Sequence, residues 1–248
     1  GIGDPGPKFN SIDSNGKNVS LSDYLGKIVV LEWTNHDCPY VRRQYETGNM
    51  QMTQTKAKDM GVIWMSVISS APGTQGHVSS KEANRLTVLR KAKPKYVLMD
   101  QSGAIGKLYR ARTTPHMYVL NKKGILIYNG AIDDDPTSWG KIKPSSKNYV
   151  LQALTELVSG RTITDSTTQP YGCSVKYGSM ESRVDFLILC KCLINASDRS
   201  IPITFPFSPT MYANSSVQYP GPQPKSKIVS PDLKLAKSQP RFASDFQT

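Results

Sequence analysis

Cys38 lies between an apolar run, IVVLEW at 28–33, and the polar stretch that begins Thr34-Asn35-His36-Asp37 and resumes after Pro39 with Arg42-Arg43. The run has the length and β-branched content of a strand buried on both faces. Pro39 suits the first turn of a helix, where its missing N–H costs nothing. Cys38 is therefore expected at a strand-to-helix junction. There, unpaired N–H groups and the helix dipole favour a thiolate. Arg42 and Arg43 add positive charge within about a turn, and Thr34 and His36 can offer hydrogen bonds to the sulfur or to a bound oxygen. The competing reading of such a residue is an inert buried thiol.

Three further cysteines follow, Cys173, Cys190 and Cys192. Four are too few for a disulfide scaffold in a chain this long, and Cys190-Lys191-Cys192 lacks both the gap and the second pair of a zinc motif. Cys173 sits in a turn-like segment after the last helical pattern, where a mobile loop can carry a resolving thiol or simply expose an unpaired one. No role is assigned to Cys190 or Cys192. The three histidines, His36, His77 and His116, all fall in loops expected around Cys38. With the thiol they have the ligand chemistry of a soft metal site, but chance clustering accounts for them, and no metal or organic cofactor is expected. Asp133-Asp134-Asp135 has the chemistry for a hard cation and is read instead as a loop leading into a helix.

The elements that must position these groups are legible from periodicity. Ser14-Asn15-Gly16 between short alternating pieces signals an N-terminal hairpin. After the strand at 27–34, a helix is expected from Pro39 to about Met60, stopped by Gly61. A buried strand covers 62–68, and a glycine-rich loop covers 69–78. Ser79-Ser80-Lys81-Glu82 resembles a capping box for a helix reaching about Lys93. Strands follow at 96–100, 116–120 and 125–128, with a helical turn near 105–110, and apolar residues at 150, 151, 154, 157 and 158 mark a helix ended by Gly160. The order predicts an α/β fold, a mixed sheet with helices on both faces, closed by an antiparallel pair.

The formal charge of +12 favours anionic partners in general. The lysines and arginines are scattered, with no basic helix or aromatic ladder, so no nucleic-acid partner is expected. No run of apolar residues is long enough to span a membrane. The sequence begins at Gly1 without a leader, which leaves periplasmic or secreted and cytoplasmic locations equally open. From 178 to 248 the pattern changes. This stretch holds nearly half of the chain's 17 prolines and many serines, with little periodicity. It is expected to be a disordered or non-native tail, and Gly178-Ser179-Met180 resembles a cloning junction or a changed reading frame. The expected division is 1–177 and 178–248.

Four segments carry a resemblance to a known family: EWTNHDCP at 32–39, SSAPG at 69–73, TTPHMYV at 113–119 and PYGCSVKY at 170–177. Together they resemble the redoxin branch of the thioredoxin superfamily, the alkyl hydroperoxide reductase/thiol-specific antioxidant family, in a peroxiredoxin-like subgroup. The likeness covers about residues 3–177 and does not reach the tail. It implies a thioredoxin fold and a thiol-dependent oxidoreductase that reduces peroxides or disulfides. Cys38 matches the redox-active thiolate, with Thr34 and Arg42 stabilising developing charge. Pro115 matches the cis-proline facing that cysteine, at a Thr-Pro step where a cis bond is cheap. His36, Pro39, Thr114, Pro115 and His116 would line the substrate side. The terminal motif points to Cys173 as the resolving thiol, with an external thiol protein such as a thioredoxin as reductant. Two departures stand against a typical peroxiredoxin. Asn35 and Leu31 occupy the positions of its threonine and proline, and Thr34 is one place out of register. Val41 replaces the second cysteine of a Cys-x-x-Cys pair. The rival reading is a non-catalytic thioredoxin-like module that binds extended peptides around Pro115. A copper-handling thioredoxin fold lacks its CxxxC pair here.

Overall fold

The computed structural model describes residues 1–178. The calls on Cys190, Cys192 and the stretch from 179 onward lie outside the described residues. An N-terminal hairpin pairs β1 (Asn10–Ile12) with β2 (Asn18–Ser20), as its turn signal predicts. A five-stranded sheet follows, ordered β5-β4-β3-β7-β8. In it β3 (Val29–Trp33) runs parallel to β4 (Ile63–Ile68) and β4 parallel to β5 (Tyr96–Met99). On the other side of β3, β7 (His116–Leu120) and β8 (Leu126–Gly130) are antiparallel.

Strand alternation divides the core between the two faces. Val29, Leu31 and Trp33 join Met65, Val67, Leu98 and Tyr118 against the N-terminal hairpin and α4 (Ala104–Tyr109). Val30, Trp64, Met117 and Val119 pack instead against α1 (Pro39–Glu46), α2 (Asn49–Asp59) and α5 (Tyr149–Val158). Helix α3 (Ser80–Leu89) covers Ile68 and Val97 through Ala83 and Leu86. Each fully buried large apolar side chain contributes about 1.5–3 kcal/mol. Helices thus lie on both faces, and the arrangement is the thioredoxin fold that the resemblance implies.

Local signals explain most boundaries. Ser79 Oγ accepts from the Glu82 N–H at 3.2 Å, the first half of the capping box. The Glu82 carboxylate turns outward to Arg85 rather than completing it. Asn148 caps α5 through the Leu151 N–H at 2.9 Å. One expectation is corrected: the helix from Pro39 to Met60 is two helices. Gly48 adopts φ +79° between them, in the left-handed region where a β-carbon is strained. A second difference lies at the site. Thr113–Thr114 (β6) and Cys173–Ser174 (β9) form a two-stranded antiparallel ladder, with Thr114 opposite Cys173.

Candidate active site

Cys38 is the N-cap of α1, with extended backbone angles and Pro39 in the first turn. The preceding loop is braced before the helix begins. Asn35 Oδ1 accepts from the Asp37 N–H at 2.9 Å, Asn35 Nδ2 donates to the Gln75 carbonyl, and the Cys38 N–H reaches the Asn35 carbonyl at 3.1 Å. Asn35 packs so closely on Gly76 that a β-carbon there would lie 2.2 Å from its side-chain oxygen. The residue standing where a typical peroxiredoxin has its threonine is therefore committed to holding the turn.

The sulfur faces the strand that enters β7. The Thr114–Pro115 bond is cis. The Cys38 thiol donates to the Thr114 carbonyl at 3.0 Å, and Cys173 lies opposite the same Thr114. Gly172 (φ +128°) allows this approach, because a β-carbon there would sit 2.0 Å from the Thr114 carbonyl oxygen. Cys38 and Cys173 are both free thiols. Burial pushes the Cys38 thiol up, but hydrogen bonds from the Cys173 thiol, the Thr114 side chain and the N–H groups of Val41 and Cys173 outweigh it, so its pKa lies below the usual value. Cys173 moves the other way. Burial first, then its hydrogen bond to Cys38 and the charge there, push it up to about 12.

The other expected site residues are placed as follows. Pro39 is half-buried beside the thiol, at the start of α1. Thr34 is buried, and its Oγ1 has no hydrogen-bond partner. His36 is half-buried, with Nε2 3.2 Å from Asp37, and burial lowers its pKa. Arg42 is exposed. His116 is buried on β7. Its Nδ1 accepts the Arg112 N–H at 3.2 Å, which fixes the tautomer so that Nε2–H donates to Asn129 Oδ1 at 2.7 Å. Both of its nitrogens are thus used. Among the described residues no three His, Cys, Asp or Glu side chains converge as metal ligands.

Two buried charged groups organise the surroundings, one that sequence reasoning passed over and one, Arg43, that it placed beside the thiol. Glu32 is fully buried and accepts hydrogen bonds from Tyr45, Gln54, Trp64 and Ser66, which ties α1, α2 and β4 together. Burial raises its pKa, against the opposing effects of the Trp64 indole N–H and the Arg90 charge. A glutamate inside an otherwise apolar strand was the available signal. The second is Arg43, buried in an ion pair with Asp135 at 2.7 Å and donating to the carbonyls of Asp135, Thr137, Gly140 and Lys141. The acidic run is a set of loop anchors: Asp133 accepts from Gln44 and Tyr171, and Asp134 accepts from the Lys147 N–H.

The AhpC/TSA family model matches residues 2–129. Among solved structures, the chain is similar to a hypothetical protein from Sinorhizobium meliloti 1021 at 16% identity and a TM-score of 0.63, covering 72% of this chain and 96% of that one. It is similar to an uncharacterized conserved protein from Geobacillus kaustophilus at 21% identity and the same TM-score, covering 72% and 93%. The thioredoxin domain of a thiol-disulfide oxidoreductase from Bacteroides vulgatus superposes more loosely, at 20% identity and a TM-score of 0.41 over 52% of this chain and 87% of that one. No curated protein matches. At their identities the first two likenesses speak for the fold alone, and the third carries no argument.

Proposed function

The chain belongs to the AhpC/TSA family, and from that premise we propose that it is a peroxiredoxin-like, thiol-dependent oxidoreductase working through a Cys38–Cys173 couple. The carrying observation is the pair itself: a thiol at the N-cap position of α1 with lowered pKa, faced by a second thiol on the strand opposite Thr114. The Cys38 thiolate attacks one oxygen of a hydroperoxide. The S–O bond forms, the O–O bond breaks, and the departing oxygen leaves as water or an alcohol after taking a proton. Cys38 is then a sulfenic acid. Cys173 attacks that sulfur, the S–S bond forms, and the hydroxyl leaves as water. A disulfide substrate would instead give a mixed disulfide at Cys38, resolved by the same second thiol. An external dithiol protein returns both cysteines to thiols.

The opposed pKa shifts support this order. Cys173 is held protonated partly by the charge on Cys38. Oxidation of Cys38 removes that charge, so the second thiol becomes easier to ionise when it is needed. The residues proposed to tune the sulfur change accordingly. Thr114 and the N–H groups of Val41 and Cys173 take the part first given to Thr34, His36 and Arg42. Pro39, Pro115 and His116 are proposed to shape the substrate side, His116 through its fixed ring rather than by proton transfer.

The complete burial of Cys38 favours the rival peptide-binding reading, and one experiment separates the two. Cys38→Ser should abolish peroxide- and disulfide-dependent turnover. Cys173→Ser should leave the first oxidation intact but stall recycling, with Cys38 sulfenic acid trapped by dimedone. If Cys38 resists stoichiometric peroxide and disulfide alike, the enzyme reading fails.

A further inference from the structure

Among the described residues four buried side-chain polar atoms have no hydrogen-bond partner, and three of them gather on one flank of the fold. Thr34 Oγ1, Gln51 Oε1 and Arg90 Nη1 belong to residues that line two adjoining cavities. The outer one is a groove of about 620 Å³ between the α1–α2 junction and the C-terminal end of α3, a size suited to a small organic ligand. The inner one is a hollow of about 10 Å³ that reaches Thr34 and Ser66. His36, Tyr45, Leu86 and Arg90 line both. Thr34 is 2% exposed, so bulk solvent does not serve its hydroxyl.

The polar atoms of the groove are held in place by bonds to their neighbours. Arg90 is the C-cap of α3, and its guanidinium lies 4.4 Å from the centroid of the Tyr45 ring. That ring is fixed by its hydroxyl, which donates to Glu32 at 2.9 Å. Gln51 Nε2 donates to the carbonyls of Tyr45 at 2.8 Å and Arg90 at 2.7 Å. Both partners are acceptors, so the amide's orientation is settled and its Oε1 is left to accept. Charge points the same way. Arg42, Arg90 and Lys91 line the groove against a single carboxylate, Glu46, and none of the three cations is in an ion pair among the described residues. Leu86 and the exposed Leu89 add an apolar wall.

We propose that this groove binds an organic carboxylate with an amide N–H beside the carboxylate and an apolar body, the chemistry of an N-acylated amino acid or of a peptide's C-terminal residue. The carboxylate takes the free Arg90 N–H in a charge-assisted bond. The amide N–H pairs with Gln51 Oε1, and the apolar body lies on Leu86 and Leu89. Sulfate, which has only acceptor oxygens, would leave Gln51 Oε1 unpaired at a cost in affinity. The inner hollow has room for one water-sized group. The ligand's body therefore stays in the outer groove, and a single carboxylate oxygen is what fits beside Thr34. Neither Cys38 nor Cys173 lines either cavity, so the inference is independent of the redox reading.

The test is calorimetric titration of the full-length protein with N-acetyl-leucine, for which saturable one-to-one binding is expected. N-acetyl-leucinamide lacks the carboxylate and should bind about tenfold more weakly or worse. The simple acid 4-methylpentanoate lacks the amide and should bind severalfold more weakly. Arg90→Gln should weaken N-acetyl-leucine about tenfold or more. Leu89→Asp sets a carboxylate in the groove at an exposed position and should weaken it severalfold, which keeps the test decisive if Arg90→Gln folds poorly. Lys8→Gln removes a positive charge outside the groove and should leave the affinity unchanged. A pentapeptide ending in leucine that binds more tightly than N-acetyl-leucine would make a chain end the occupant, whereas equal affinities would make it the free N-acyl amino acid. Absence of saturable binding, or equal affinity for N-acetyl-leucine and its amide, would overturn the proposal. So would an unchanged affinity in either groove variant that folds.

Discussion

His116 stands directly after the cis-proline, yet neither ring nitrogen is free: one accepts from Arg112 and the other donates to Asn129. Burial lowers its pKa from 6.5 to about 4. Between these values the unfolded chain binds a proton that the folded protein excludes. The stability this histidine confers is therefore complete above pH 6.5 and is lost as pH falls toward 4. The window limits the loss to about 3 kcal/mol. Urea unfolding at pH 7 and pH 4.5 should show the wild type losing more stability than His116→Gln over the same interval. Parallel losses in the two proteins would show that the imidazole is not held neutral. The same scale shows what a sequence discloses about a site. Cys38 was legible because its environment is local, set by a strand, a proline and a helix start. Arg42 and Arg43 are adjacent and equally cationic, so composition could not tell which is exposed and which is buried on Asp135. Thr34 has the right chemistry, but its buried hydroxyl has no hydrogen-bond partner, which residue type alone does not disclose.

Elements with a strong internal period were read correctly. The β7–β8 hairpin, the α3 cap and the α5 helix all follow signals within a few residues of one another. The break between α1 and α2 was missed because an isolated glycine in a helical pattern is tolerated on propensity alone. What decides it is the chain's need to turn after Glu46, with Thr47 Oγ1 bonding back to the Arg43 carbonyl at 2.7 Å. The β6–β9 ladder was also invisible, since its two-residue strands are defined by a partner about 60 residues away. Gly48 permits a clean check, because no atom lies within 4 Å of the β-carbon it lacks. Gly48→Ala should therefore report backbone strain alone and destabilise the protein by about 1–2 kcal/mol, the cost of a left-handed residue with a side chain. The urea midpoint should fall with the slope unchanged. An unchanged or higher midpoint would mean that α1 and α2 can fuse into the single helix their sequence suggests.

At the scale of the whole molecule, the core is built from a limited part of the chain. The buried members of the three apolar clusters run from Phe9 to Leu154, and the partly buried residues packed on them end at Val175. The last named contact of the described residues is Tyr177, packed on Gly103 and Gly106 with its hydroxyl donating to the Ala111 carbonyl. No helix among the described residues is long and apolar enough to cross a membrane, so this unit has no such span to accommodate. We propose that the compositional change near residue 178 is a true domain boundary. Cutting the chain after Gly178 removes none of the contacts just named. The shortened protein should therefore keep its stability within roughly 1 kcal/mol, the scale of a surface change. Urea unfolding also gives the slope, which scales with the surface exposed on unfolding. If residues 179–248 lie outside the cooperative unit, midpoint and slope should both match those of the full chain. A lower midpoint with a smaller slope would show that the segment docks and unfolds with the rest, and the boundary would then have to be placed farther along.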